Sequence, residues 1–203
     1  PSGGKIPESW NPVIEEALDN GLSIVNGLHD VLNERWSHHI KNPLKQWIWD
    51  VRIPLFTPEI ATGKASQLQN KRVLFIGTDM AVGKMTAGLE LYSWLLEHNK
   101  KVGFVATGQI GITIAGKGIP LDAFKVDHAC GAVEQVVLDQ ADKDILLIEG
   151  QGSLLHPGST ATLPLMRGSC PTHLILCLRA EIKTLRSPEH IKIPDLNDFI
   201  ALN

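Results

Sequence analysis

The sequence lacks any uninterrupted apolar run of 18 residues, so nothing in it reads as a membrane span. It opens with no basic-then-apolar leader, and no secretion signal is expected. Positive charge is not in excess: 19 Lys and Arg stand against 22 Asp and Glu, a net charge of −3. That balance does not suit a protein that neutralises runs of phosphates, so no nucleic-acid partner is expected. Cysteine is scarce. Cys130, Cys170 and Cys177 form no Cys-x-x-Cys pair, so neither a disulfide framework nor a thiolate metal site is expected. Cys177 lies in the apolar run 174–178 and reads as a small buried hydrophobe. Cys130, near His128, also reads more simply as buried than as reactive. Reduced thiols fit a cytoplasmic setting. Internal repeats and low-complexity tracts are absent too.

What is present is ordinary globular material: 203 residues, 43% apolar and 20% charged, enough for one domain or one and a half. The chain starts at Pro1 without an initiator Met. It stops at Asn203, in what reads as the middle of a helical pattern that runs over Asp195–Leu202. The expectation is a fragment cut at both ends.

Residues 1–68 hold Trp10, Trp36, Trp47 and Trp49, four of the five tryptophans. Asn11–Asn20 reads as a helix, with Pro12 in its first turn and Gly21 as its stop. Leu22–Asn26 reads as a strand, Asp30–Trp36 as a helix and Trp47–Val51 as a further apolar run. This alternation suits the trailing part of an α/β unit whose earlier strands lie elsewhere, and residues 52–70 read as a linker. Aromatic side chains are enriched at interfaces, so pairing of two copies through this segment is the expected route to a homo-oligomer. His38–His39 reads as a solvated pair, not a metal site.

From residue 69 the pattern sharpens. Strands are expected at 72–76, 101–106, 144–149 and 173–178, with a short one at Ala123–Val126. Helices are expected at Lys84–His98 and Ala129–Gln140. Continuous apolar strands alternating with amphipathic helices predict an α/β fold, a parallel sheet with helices on both faces. Ligands of such sheets bind at the carboxyl ends of the strands, which directs attention to loops 77–86, 107–119, 127–131 and 150–169.

The first of these loops carries the sharpest signal. Gly77, Thr78, Asp79, Met80, Ala81, Val82, Gly83, Lys84, Met85 and Thr86 leave a strand and open a helix, the context of a P-loop. Backbone N–H groups of such a loop converge on phosphate oxygens, the helix start adds a favourable dipole, and Lys84 adds a positive charge. Two features depart from the usual pattern. Five residues separate Gly77 from Gly83 instead of four. Met85 also stands where a nucleotide hydrolase has the Ser or Thr that holds Mg²⁺. A thioether suits a hard cation poorly. The loop therefore reads as fit for binding phosphates and less fit for metal-assisted phosphoryl transfer, with Thr86 able to reach a phosphate.

Glu149 ends a strand beside this loop, a position for a metal-holding carboxylate or a general base, and His156 is a second acid–base candidate. Thr107, Gln109, Gln151 and Ser153 supply hydroxyls and amides for a substrate. Asp127-His128 reads as a proton-transfer pair or as a helix N-cap. Arg167, Arg179 and Arg186 read as surface charges, or alternatively as clamps for an anion.

The phosphate loop, with Glu149-Gly150-Gln151-Gly152, resembles that of dethiobiotin synthetase and its relatives. A fuller similarity is to a D-glutamate N-acetyltransferase-like family, long called a domain of unknown function. It rests on Gly3–Trp10, Gly27-Leu28-His29, Asp50-Val51-Arg52, the loop Gly77–Thr86 with its Met85-Thr86, Ala106–Gln109, and Glu149–Leu154 with His156-Pro157. The resemblance implies the tail of an N-terminal Rossmann-like domain (1–68) followed by a P-loop NTPase-like domain (69–203). It also implies acetyl transfer from acetyl-CoA to an acidic D-amino acid such as D-glutamate, a small-molecule substrate. The alternatives are a Mg-ATP-dependent ligase or kinase, and a nucleotide-binding module without turnover.

Overall fold

A computed structural model describes residues 4–201. Pro1, Gly3, Leu202 and Asn203, on which some of the terminal expectations fall, lie outside the described residues. The chain is α/β with two parallel sheets. The smaller sheet pairs β1 (Ile24–Asn26) with β2 (Ile48–Asp50), in the register Ile24 to Ile48. Helix α1 (Asn11–Asp19) and helix α2 (Leu32–Trp36) pack with it around Leu18, Leu32, Trp36 and Ile48. Pro12 lies in the first turn of α1, and Gly21 follows its end at φ +79, where a side chain would be strained. Trp36 is buried, while Trp10 and Trp47 are about half exposed, at 47% and 48%.

The larger sheet has four parallel strands in the order β4-β5-β3-β6, with β3 Lys71–Gly77, β4 Val102–Val105, β5 Ile145–Ile148 and β6 His173–Cys177. Strand side chains alternate between faces, and this partitions the core. Leu74, Ile76, Leu146 and Ile148 pack with α5 (Val126–Leu138) and α6 (Thr162–Ser169). Phe75, Leu147 and Phe104 pack on the other face with α3 (Lys84–Glu97) and α4 (Gln109–Ala115). A short α7 (Leu196–Ala201) follows. Arg72 pins the starts of the strands: its buried guanidinium donates to the carbonyls of Leu68, Asn70, Ser169 and Cys170. Among the described residues no helix is long and apolar enough to cross a membrane.

Three expectations are corrected. Ala123–Val126 is not a strand. Leu121–Ala123 forms a 3₁₀ turn, tied by Leu121 N–H to Thr107 O, and Val126 already opens α5. Asp127 and His128 therefore lie in the first turn of that helix, and Lys125, not Asp127, is its N-cap residue. His128 Nδ1 lies 2.8 Å from Pro58 O, so its ring is tied to the preceding loop. Finally, the stretches 107–119 and 150–169 are not loops throughout, since they contain α4 and α6. Within residues 52–70, Ala65 is fully buried in the larger core, and Thr62 donates to the Glu134 carboxylate.

Candidate functional site

Parallel pairing aligns the C-terminal ends of β4, β5, β3 and β6 along one edge, and the sequence-predicted residues gather there. The loop 77–86 joins β3 to α3. Gly83 caps α3 at φ +95, a conformation open to glycine at no steric cost, and Ala81 also takes a positive φ of 55. Ala87 N–H donates to Gly83 O, while the first-turn amides of Lys84, Met85 and Thr86 have no intrahelical acceptor. Those amides and the dipole favour an anion.

The loop is wrapped tightly around the Lys84 side chain. Lys84 is 7% exposed, and its Nζ donates to Asp79 O at 3.1 Å. A Cβ on Gly77 would come within 3.0 Å of that Nζ, and one on Gly150 within 3.0 Å of Lys84 Cδ. Burial lowers the Lys84 pKa, opposed by the nearby Cys177 and Asp79. A buried ammonium satisfied by one carbonyl gains strongly from an anion brought to it.

Asp79 shapes the loop. Its Oδ1 accepts from Met80 N and its Oδ2 from Arg186 N, at 2.7 and 2.8 Å. Arg179 adds a donor to Ala81 O. The segment after β6 thus clasps the phosphate loop through Arg179 and Arg186, a link between residues about a hundred positions apart that no local pattern announces.

Glu149 follows β5 and is 2% exposed. Its Oε2 accepts from Thr107 N at 2.8 Å and Gly108 N at 3.1 Å, and Thr107 Oγ1 donates back to Glu149 O. Burial pushes its carboxyl above the usual carboxylate range, against the opposing pull of those amides and of Gln151. Thr78 and Thr107 are buried at the same edge.

Two other candidates are committed to the fold. The Ser153 hydroxyl donates to Thr78 O and accepts from Leu155 N and His156 N, each at 3.1 Å. One donor and two acceptor sites are then filled, so this hydroxyl braces two loops and offers nothing to a substrate. His156 Nδ1 accepts from Gly158 N, so Nε2 carries the proton and donates to Ser187 O. With both ring nitrogens engaged, His156 ties its loop to Ser187 and Gly158.

Cavities flank the phosphate loop. On the β4–β5 side is a cleft of about 1260 Å³, walled by Thr107, Gly108, Gln109, Gln151, Met80 and Arg167 among others. On the β6 side is a cavity of about 610 Å³ bordered by Thr78, Arg179, Lys183 and Lys192. The segment that follows the smaller sheet reaches the wall of the first of these. Arg52 donates to Gly27 O and pairs with Asp122 on the cleft wall, and a Cβ on Gly27 would meet Gln109.

Residues 59–203 match a family model described as the P-loop domain of a domain of unknown function, DUF1611. The chain belongs to the DUF1611 family. Residues 1–54 match the Rossmann-like N-terminal domain of the same DUF1611 family. Two relatives bear the name D-glutamate N-acetyltransferase. The chain is 39% identical over 206 residues to one from a Pseudoalteromonas species, covering 100% of this chain and 61% of the relative. It is 36% identical over 199 residues to one from Tritonibacter scottomollicae, covering 97% of this chain and 59% of the relative. The chain thus spans about three fifths of the length of these curated relatives. A crystal structure of a DUF1611 protein from Anabaena variabilis superposes with a TM-score of 0.94 at 46% identity, covering 100% of this chain and 59% of that one.

Proposed function

We propose that this DUF1611 protein transfers an acetyl group from acetyl-CoA to the amino group of an acidic D-amino acid such as D-glutamate. The observation that carries this reading is the phosphate loop. It presents a buried Lys84 and unpaired helix-start amides to an anion, yet Met85 denies it the metal-binding hydroxyl of a phosphoryl-transfer enzyme. Acetyl-CoA offers the phosphates of its CoA moiety for anchoring, and transfer of its acetyl group requires no metal at them. The printed names of the two bacterial relatives support the same chemistry.

In this reading Lys84 and the amides of Met85 and Thr86 hold the CoA phosphates. The acceptor lies in the cleft beside β4 and β5. The amine nitrogen attacks the thioester carbonyl, a C–N bond forms, the C–S bond breaks, and CoA leaves as the thiolate, which becomes the thiol on taking up the proton lost by the amine. Glu149 stands behind the wall formed by Thr107, Gly108 and Gln151, and takes the amine proton through a bridging water. Its raised pKa makes it a better base than an ordinary carboxylate.

The test is release of CoA thiol by the full chain, supplied with acetyl-CoA and D-glutamate in the presence of EDTA. The expected result is stoichiometric thiol and N-acetylglutamate. Absence of transfer, together with Mg²⁺-dependent ATP turnover, would replace this reading with that of a ligase or kinase.

A further inference from the structure

The larger cleft carries an unusual charge pattern. Its charged side chains among the described residues are Asp122, Asp127 and Arg167. Asp122 is neutralised by Arg52. Arg167 makes no ion pair and its guanidinium no hydrogen bond among the described residues. Arg167 is exposed on the cleft lining, with the Cys130 thiol as a close electrostatic neighbour, and a guanidinium with no acceptor of its own there has its donors available for a planar anion.

Its mounting is rigid. Arg167 lies in the last turn of α6, and the next residue, Gly168, packs against α5 so closely that a Cβ there would lie 2.3 Å from Cys130 O. The backbone under Arg167 is thereby fixed relative to α5. Asp127 lies three residues before Cys130 on α5, on the same helix face. Its negative charge repels a carboxylate from the α5 wall and steers it toward α6.

The geometry points to Arg167 as the residue that binds the side-chain carboxylate of the acceptor and so selects an acidic amino acid. This inference rests on the acetyltransferase reading above and adds to it the group that sets substrate class. Arg167 touches the substrate at a distance from the reacting amine, so its effect falls on acceptor affinity and discrimination.

The experiment compares D-glutamate with D-glutamine, its uncharged near-isostere, in wild type, Arg167→Gln and Arg167→Lys. Wild type is expected to prefer D-glutamate strongly in kcat/KM. Arg167→Gln is expected to raise the KM for D-glutamate by roughly tenfold to a hundredfold and to erase the preference, with the KM for acetyl-CoA unchanged. Arg167→Lys is expected to recover part of the preference, since it keeps the charge and loses the planar fork. A preference that survives in Arg167→Gln, or a rise in the KM for acetyl-CoA instead, would overturn the assignment. Should wild type transfer no acetyl group, the functional reading fails separately. D-Glutamate binding measured by calorimetry then decides the Arg167 assignment: equal affinity in wild type and Arg167→Gln, or no binding to either, refutes it, and loss in the variant supports it.

Discussion

Asp50 and Glu149 are carboxylates at the C-terminal ends of parallel strands, and both are nearly buried, at 7% and 2% exposure. Their pKa values nevertheless move in opposite directions. Burial pushes both up. Around Asp50 four donors outweigh that: Asn26 Nδ2, Leu32 N, Asn33 N and Asn33 Nδ2, at 2.7 to 3.0 Å. Its carboxyl is held below the usual range. Around Glu149 two amides and the Gln151 side chain do not suffice, and its carboxyl stays above that range. The smaller sheet therefore spends its buried charge on closing its own fold. The larger sheet keeps a buried carboxylate whose donors do not offset its burial, Glu149, and a buried ammonium held by one carbonyl, Lys84, at the edge where ligands of parallel sheets bind.

The difference can be broken from either side. The largest stability effect is expected for Asp50→Ala, which strands the donors of Asn26, Leu32 and Asn33. A loss of about 3 kcal/mol is expected in urea denaturation at neutral pH. The sign of its pH dependence follows from the lowered pKa. The stabilisation is present above the ordinary carboxylate pKa of about 4 and is lost as pH falls through the lower folded value. A smaller loss, about 1–3 kcal/mol, is expected for Gly111→Ala. The added Cβ would lie 2.2 Å from Glu149 Oε2, so the carboxylate must shift and the proposed acetyl transfer should fall with stability.

The smallest stability change is expected for Glu149→Gln. A folded pKa raised above the unfolded one means that the fold favours the protonated group, and its ionisation costs stability as pH rises through the folded value. The glutamine variant at neutral pH should be as stable as wild type or more so, while its activity falls by about a hundredfold or more. In the proposed reaction Glu149 must be ionised to act, so the acidic limb of kcat/KM for wild type should lie above the ordinary carboxylate range. A Glu149→Gln loss as large as that of Asp50→Ala would erase the distinction between the two carboxylates.

Local features of this arrangement were legible in the sequence. The apolar runs of β3, β5 and β6 and the strand–loop–helix unit around Lys84 are written in consecutive residues. Helix α4 was not legible, because Gln109–Ala115 is rich in β-branched residues and holds Gly111, a composition of low helix propensity. Helix α6 hides behind Pro164, which sits within its first turn, where no intrahelical N–H is needed. The shape of the stretch around Ala123–Val126 is not local: Leu121 N–H just before it donates to Thr107 O, a residue 14 positions earlier, and Val126 opens α5. The roles of Ser153 and His156 were illegible for a different reason. Their partners, Thr78 and Ser187, lie 75 and 31 residues away, so a hydroxyl and an imidazole with catalytic potential are used up by the fold. For Arg167 the sequence leaves a surface charge and an anion clamp both open, and the packing of α6 on α5 places it on the cleft.

The most direct test is calorimetric titration of acetyl-CoA into the full chain in the presence of EDTA, for wild type and Lys84→Ala. Metal-independent binding to wild type, weakened by roughly tenfold to a hundredfold in the variant, is the predicted result. Equal binding by both proteins, or no response to acetyl-CoA alongside tight binding of Mg-ATP, would contradict it.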